Sequence, residues 1–220
     1  MKIKKIVIGT LVLTLLIFSL YAYKLHALAV EGNKIFEQRC LVVNPPLISY
    51  KNYFLNFADA VKHPDKVSTE LAVGYFLTYL DDLRAYAPKE VAWLETQRAF
   101  LDRWDFKLIE PWYIKEAGEY QYRMYEGYRD EALALIEIVD SDGNKSEIHA
   151  KFDAARTKRN DNSQLYFDLV NEASEFKDWR KIFGSVPFPG ACTDEVLKIP
   201  DTTGALDPDP ARVKEPDITG

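Results

Sequence analysis

The chain opens with its longest uninterrupted apolar stretch. Residues 6–23 contain no charged side chain, and lysines precede the stretch at positions 2, 4 and 5. At the 1.5 Å rise of a helix, this length covers most of a hydrocarbon core that is about 30 Å thick. The pattern predicts a transmembrane helix over residues 6–23, with its basic end in the cytoplasm and the rest of the chain extracytoplasmic, either periplasmic or extracellular.

A removable signal peptide is the alternative for this segment. Ala27-Leu28-Ala29 has the small-x-small pattern of a signal-peptidase site, and cleavage there would leave Val30 as the new N-terminus. However, the apolar stretch exceeds the usual signal core of about 7–15 residues. Lys24 at its end also suits the membrane interface. We therefore favour an uncleaved single-pass anchor over residues 1–30 of a cell-membrane protein.

The next part of the chain has helical periodicity. Residues 31–48 form a predicted stalk that contains Pro45 and Pro46. After it, apolar positions recur at spacings of three and four, which is typical of helices that bury one face. The pattern predicts three helices, of which the first begins at Ser49, the second runs over residues 65–86 and the third begins at Pro88.

The periodicity then changes from helical to alternating. Residues 131–139 are a largely apolar run, Asp142-Gly143 is a turn signal, and apolar and polar residues alternate after it. This order predicts a β-hairpin over residues 132–152. The predicted fold class is therefore α+β, with a transmembrane helix followed by about three helices packed on a small antiparallel sheet. The alternative is an all-α bundle in which residues 111–140 form one long helix, because apolar residues there also have helical spacing.

The C-terminal end has a different composition. Four prolines lie among Asp, Thr and Gly within residues 198–220, so this segment is predicted to be a disordered tail. The extracytoplasmic globular domain is then predicted over residues 49–197.

Charge and cysteine content restrict the partners and the redox chemistry. Residues 31–220 contain 24 basic and 34 acidic side chains, a net charge of −10. Such a domain is repelled by nucleic acid, so we expect no nucleic-acid partner. The two cysteines, Cys40 and Cys192, would lie in an oxidising compartment, and this predicts a disulfide between them.

Aromatic and acidic residues are concentrated in one stretch of the chain. No catalytic motif, cofactor-binding loop or metal-ligand spacing is present, so we assign no catalytic residue, no cofactor and no metal site. Tyrosine and tryptophan rings together with carboxylates could line a groove for a ligand. The candidate binding residues are Glu110, Trp112, Tyr113, Glu119, Tyr120 and Tyr122.

Two functions are compatible with these features. We expect a membrane-anchored, non-enzymatic component that binds a protein partner of unknown identity in an assembly. The alternative is a ligand-binding or hydrolytic domain, with Glu110 or Glu119 as the acid/base and with Trp112 and Tyr120 as stacking platforms. The two functions differ in the shape of the surface that they require. A protein-interaction surface should be flat or grooved, whereas a ligand site should be an enclosed pocket that holds a carboxylate with a perturbed pKa.

Overall fold

Helices account for almost all of the chain that the structure describes. The structure is a computed structural model, and it describes residues 2–43, 56–63, 65–66, 68–141 and 145–183. The elements in chain order are α1 (Lys2–Val42), α2 (56–62), α3 (Thr69–Leu101), α4 (Trp104–Ile109), α5 (Trp112–Asp140), α6 (Lys145–Glu175) and a 3₁₀ helix (Trp179–Phe183).

The predicted α+β fold is wrong, and the all-α alternative is confirmed. No strand occurs within the described ranges. The predicted hairpin at 132–152 is also wrong, because 132–140 belongs to α5 and 145–152 to α6. The turn residues 142–144 lie outside the described ranges, between these two helices rather than between two strands.

The burial pattern of α5 explains the error. The buried side chains Tyr113, Ile114, Ala117 and Met124 recur at helical steps of three, four and seven residues, and Ala132 follows Met124 by eight. The segment 131–139 also contains Ala, Leu and Glu, which favour helix, beside the Ile and Val that suggested a strand. The alternating pattern was too short to decide the structure against this longer period.

Helices α5 and α6 pair in antiparallel order. The Nζ of Lys158 lies 3.0 Å from a carboxylate oxygen of Glu126. Further toward the connection, the Nζ of Lys151 lies 3.2 Å from a carboxylate oxygen of Glu137. The partner number on α6 falls as the number on α5 rises, so the two elements form a helical hairpin.

Gly127 marks the closest approach of these two helices. A Cβ added there would lie 2.7 Å from the Cβ of Arg159 and 2.8 Å from its Cα and backbone nitrogen. Backbone atoms cannot move aside without separating the helices. We therefore expect Gly127→Ala to lower the free energy of unfolding by about 2 kcal/mol, measured by chemical denaturation in mild detergent.

Gly118 on the same helix provides the matched control. A Cβ at Gly118 would meet the Cδ2 of Leu101 at 2.7 Å, and this atom is the end of a flexible side chain. Since alanine favours helix by about 1 kcal/mol over glycine, Gly118→Ala should be neutral or slightly stabilising. Equal losses in the two variants would contradict the assigned helix–helix contact.

Pro88 lies inside α3 rather than at a helix start. The sequence predicted two helices, ending at residue 86 and beginning at Pro88, whereas one continuous helix spans Thr69–Leu101. Buried residues on both sides of the proline, Leu83 before it and Trp93 after it, lie in unit 2. Their packing outweighs the loss of one backbone hydrogen bond at the proline.

Replacement of this proline should stabilise the chain. Pro88 is exposed, and proline in a helix interior is about 3 kcal/mol less favourable than alanine. We expect Pro88→Ala to raise the free energy of unfolding by about 1–3 kcal/mol in the same denaturation assay. A decrease would mean that the native helix depends on a local bend at this position.

The chain divides into two compact units, each of which contains segments from several helices. Among the described residues, unit 1 comprises 2–37, 94–127 and 156–183, and unit 2 comprises 38–43, the described part of 56–93, 128–141 and 145–155. The core of unit 1 includes Leu28, Phe100, Leu101, Phe106, Tyr113, Ile114, Ala117, Tyr166, Leu169 and Ala173. The core of unit 2 is built on α3, where Tyr79, Leu80, Leu83, Tyr86 and Ala87 are buried.

Helix α1 changes character along its length. Residues 6–20 are exposed and apolar apart from small polar residues, whereas Leu25 and Leu28 are buried in unit 1. By length and composition, the helix from Ile6 to Val42 is a candidate membrane span. It continues through residues 31–42, the first part of the predicted stalk.

Several predictions fall on residues that the structure does not describe. Cys40 is buried on α1, but Cys192 lies outside the described residues, so the disulfide stays a prediction. The same applies to the tail at 198–220.

Candidate functional site

Glu110 occupies the corner between α4 and α5. The residue before a proline is restricted to extended backbone angles, and Glu110 has φ −69° and ψ 144°. Pro111 thus ends α4, and α5 begins at Trp112. The Glu110 amide donates to the carbonyl of Phe106 at 3.1 Å, which fixes the backbone of the corner.

The side chain of Glu110 is buried without a hydrogen bond. It is 3% exposed, and neither carboxylate oxygen has a partner among the described residues. Burial penalises the charged form and raises the pKa of Glu110 to about 7, although the positive charges of Arg180 and Lys115 act in the opposite direction. A buried polar group of this kind is uncommon and requires an explanation, such as a ligand, a water molecule or a catalytic role.

Both cations near Glu110 are bound to other groups. The Nζ of Lys115 donates to the carbonyl of Lys107 at 3.0 Å. The guanidinium of Arg180 donates to both oxygens of Asp178 at 2.7–3.0 Å. Their charges therefore lower the pKa of Glu110 without a direct hydrogen bond to its carboxylate oxygens.

Three aromatic rings gather beside this corner of the chain. The ring of Tyr113 lies 6.0 Å from that of Trp112 and 5.3 Å from that of Phe176, and Trp112 lies 5.8 Å from Phe176. Tyr113 is buried in the core of unit 1, whereas Trp112 is 53% exposed. The trio thus supports one ring, Trp112, that is open to solvent.

Asp178 is hydrogen-bonded to Tyr113 of the aromatic trio. It accepts a hydrogen bond from the hydroxyl of Tyr113 at 3.0 Å and another from the amide of Arg180 at 2.9 Å. The hydrogen bonds from Arg180 lower the pKa of Asp178 to about 2, with a smaller opposing effect of burial. Unit 1 therefore contains two carboxyl groups whose pKa values differ by several units, Glu110 and Asp178.

The other three predicted binding residues lie elsewhere on α5. Glu119 forms a bidentate pair with Arg98 at 2.8 and 3.0 Å. The same guanidinium lies 3.9 Å from the ring centroid of Tyr122. Tyr120 packs against the core of unit 1. These contacts account for the three side chains as parts of the packing between α3 and α5.

Asp178, Arg180 and Phe176 were not predicted as site residues. They follow α6, more than sixty positions after Glu110, and no local motif connects the two segments. The alternation of charged and aromatic residues after residue 175 is the sole sequence signal, and by itself it does not indicate a site.

Unit 2 contains a second buried charge. The Nε and Nη2 atoms of Arg39 both lie 3.3 Å from one oxygen of Glu90, and the two residues are 4% and 0% exposed. Burial raises the pKa of Glu90, while Arg39, Tyr86 and Arg129 favour its charged form. The guanidinium also lies 5.4 Å from the ring centroid of Trp93. Only the Oε1 atom of Glu90 contacts Arg39, and its Oε2 atom is buried without a hydrogen bond among the described residues. Unlike Glu110, Glu90 directly contacts a buried cation, so we assign the pair a structural role.

Neither metal ligation nor known relatives identify the function. Within the described ranges, no group of three His, Cys, Asp or Glu side chains is placed to hold a metal ion. Comparison of the chain with protein-family models, curated proteins and solved structures finds no match. The function must therefore be inferred from the geometry around Glu110.

Proposed function

We propose that this chain is a membrane-anchored ligand-binding protein whose extracytoplasmic site lies at Glu110 and Trp112. The observation that carries the proposal is the buried carboxyl group of Glu110, which has no hydrogen-bond partner in the described part of the chain and a pKa of about 7. It follows directly on α4 and precedes an exposed tryptophan by two positions. Small-ligand sites combine aromatic side chains with a few polar groups, and Glu110 and Trp112 supply one of each kind within three consecutive positions of the chain.

The surroundings of Glu110 favour an uncharged ligand that carries hydroxyl groups. A cationic ligand would be opposed by Arg180 and Lys115, and an anionic ligand by Glu110 once it ionises. A carboxyl group that titrates near pH 7 can both donate to and accept from a hydroxyl. The exposed face of Trp112 can stack on the apolar face of a sugar ring. A neutral glycan meets both requirements.

Binding is favoured over hydrolysis for this site. Glycoside hydrolysis requires a second carboxylate that is available as base or nucleophile. Asp178 has the required low pKa, but both of its oxygens accept hydrogen bonds from Arg180, and one also accepts from Tyr113. These bonds leave it poorly placed to attack a substrate.

The test is binding of the full chain in mild detergent to an array of uncharged oligosaccharides. We expect Trp112→Ala to weaken the binding at least tenfold, because it removes the stacking platform. Trp104→Ala is the matched control, since Trp104 is also exposed, at 73%, and makes no contact with the aromatic trio in the described structure. That variant should bind as the wild type does.

A second variant separates binding from folding. Glu110→Leu removes a buried polar group that has no partner, so the chain should fold at least as stably while losing the glycan. A chain that binds no sugar on the array overturns the proposal. Unchanged binding in both Glu110→Leu and Trp112→Ala would also overturn it.

The expected protein-interaction function is still a prediction. It rested on the anchor, the acidic domain and the tail, and crosslinking in the native membrane followed by mass spectrometry would test it. The extracytoplasmic location proposed above rests on the lysines before residue 6 and the apolar stretch after them.

A further inference from the structure

The short helix Trp179–Phe183 packs on the exposed apolar part of α1. The ring of Trp179 stacks on that of Phe18 at 5.1 Å and lies 6.1 Å from that of Tyr21. Phe183 adds a further contact to Phe18, at 6.0 Å between ring centroids. All of these residues belong to unit 1.

The position of Phe18 along α1 gives the depth of this contact. Lys5 and Lys24 bracket the apolar stretch, and the rise of 1.5 Å per residue places them about 28 Å apart, close to the thickness of a hydrocarbon core. On the same scale, Phe18 lies about 9 Å inside the boundary that Lys24 marks, and Tyr21 about 5 Å inside it. A side chain that stacks on Phe18 therefore reaches the level of the acyl chains.

We propose that the helix Trp179–Phe183 is a second membrane contact, with Trp179 and Ile182 inserted into the outer boundary of the lipid bilayer. Ile182 is 80% exposed and Trp179 is 47% exposed, although both are large and apolar. Tryptophan is enriched at this level of a membrane, and interfacial helices penetrate about 5–10 Å. The proposal rests on α1 crossing a bilayer.

The charged residues of the short helix are compatible with this location. Arg180 is paired with Asp178, so its charge is balanced within the protein. The Nζ of Lys181 donates to the carbonyl of Ala173. Arg180 would therefore not enter the lipid as an isolated ion, which is the arrangement that a membrane penalises most strongly, and Lys181 is hydrogen-bonded to the protein backbone.

The test uses the full chain in phosphatidylcholine vesicles whose acyl chains carry bromine near the headgroup. Bromine quenches tryptophan fluorescence at short range. We expect Trp179→Phe to reduce the quenched signal by at least one third, while the aromatic packing on Phe18 is kept. Trp179→Phe combined with Ile182→Trp should restore the quenching, because it moves the indole to the exposed neighbouring position.

Trp104 provides the matched control within unit 1. Trp104 follows Arg103 in sequence, and Arg103 forms an ion pair with Glu31 on α1. Glu31 lies ten residues after Tyr21, which is about 15 Å further along the helix and away from the proposed bilayer. Trp104→Phe should therefore leave the lipid-dependent quenching unchanged. Equal effects of Trp179→Phe and Trp104→Phe would overturn the proposal. Extraction of the wild-type chain from the vesicles by alkaline carbonate would overturn it together with its premise.

Discussion

Replacing Glu90 by alanine is expected to lower the free energy of unfolding by about 3–5 kcal/mol, the largest effect of any substitution considered for this protein. The change leaves the Arg39 guanidinium buried without the carboxylate that it contacts at 3.3 Å. An uncompensated charge in a buried position costs far more than the ion pair contributes. Chemical denaturation of the full chain in mild detergent measures the loss.

Two further variants identify the cause of that loss. Glu137→Ala removes an exposed ion pair from the same unit, between Glu137 and Lys151, and should cost less than about 1 kcal/mol. The double substitution Arg39→Met with Glu90→Met removes both buried charges and should recover most of the stability lost in Glu90→Ala. If the double variant is no more stable than the single one, the loss arises from packing and not from the missing carboxylate that faces Arg39.

Glu110 is expected to make the protein less stable as the pH rises from about 4.5 to about 7. Its pKa is raised from 4.5 to about 7 in the folded chain. Between these values the folded state holds the proton and the unfolded state has released it, so the free energy of unfolding falls with pH. The expected loss is about 3 kcal/mol, complete above the folded pKa.

Glu110→Gln isolates this contribution. Glutamine resembles the protonated acid and does not titrate, so the variant should match the wild type near pH 4.5 and exceed its stability by about 3 kcal/mol at pH 8. The difference between the two unfolding curves at each pH cancels the titration of all other groups. Parallel curves for the two proteins would show that Glu110 is hydrated or paired in solution.

The helical character of residues 69–101 and the candidate membrane span could be predicted from the sequence because both signals extend over many residues. The apolar stretch at 6–23 has no other common interpretation than a membrane segment or a signal. The prediction of the fold class was wrong because of residues 132–152, where a short β-branched run and an Asp-Gly dipeptide resemble the pattern of a β-hairpin. Residues 132–140 instead continue the long helix α5. The helical spacing of its buried side chains extends over more residues than a short sequence window covers.

The candidate site could be predicted in part. The stretch that contains Glu110 and Trp112 was identified from its local concentration of aromatic and acidic residues. Its second half, Phe176 to Arg180, depends on a tertiary contact with α5, and such contacts leave no trace in a single sequence. By sequence, Glu119 was as good an acid/base candidate as Glu110, because its pairing with Arg98 across two helices is likewise a tertiary property.

The continuity of α1 has a consequence for the alternative in which the N-terminal segment is a removable signal peptide. Residues 27–29, where a peptidase would cut, lie within the helix, and Leu28 and Ala29 are buried. Cleavage after Ala29 would remove these two residues and Leu25 from the packed interior of unit 1. The remaining chain would lack these core contacts, so we expect cleavage at this position to destabilise unit 1.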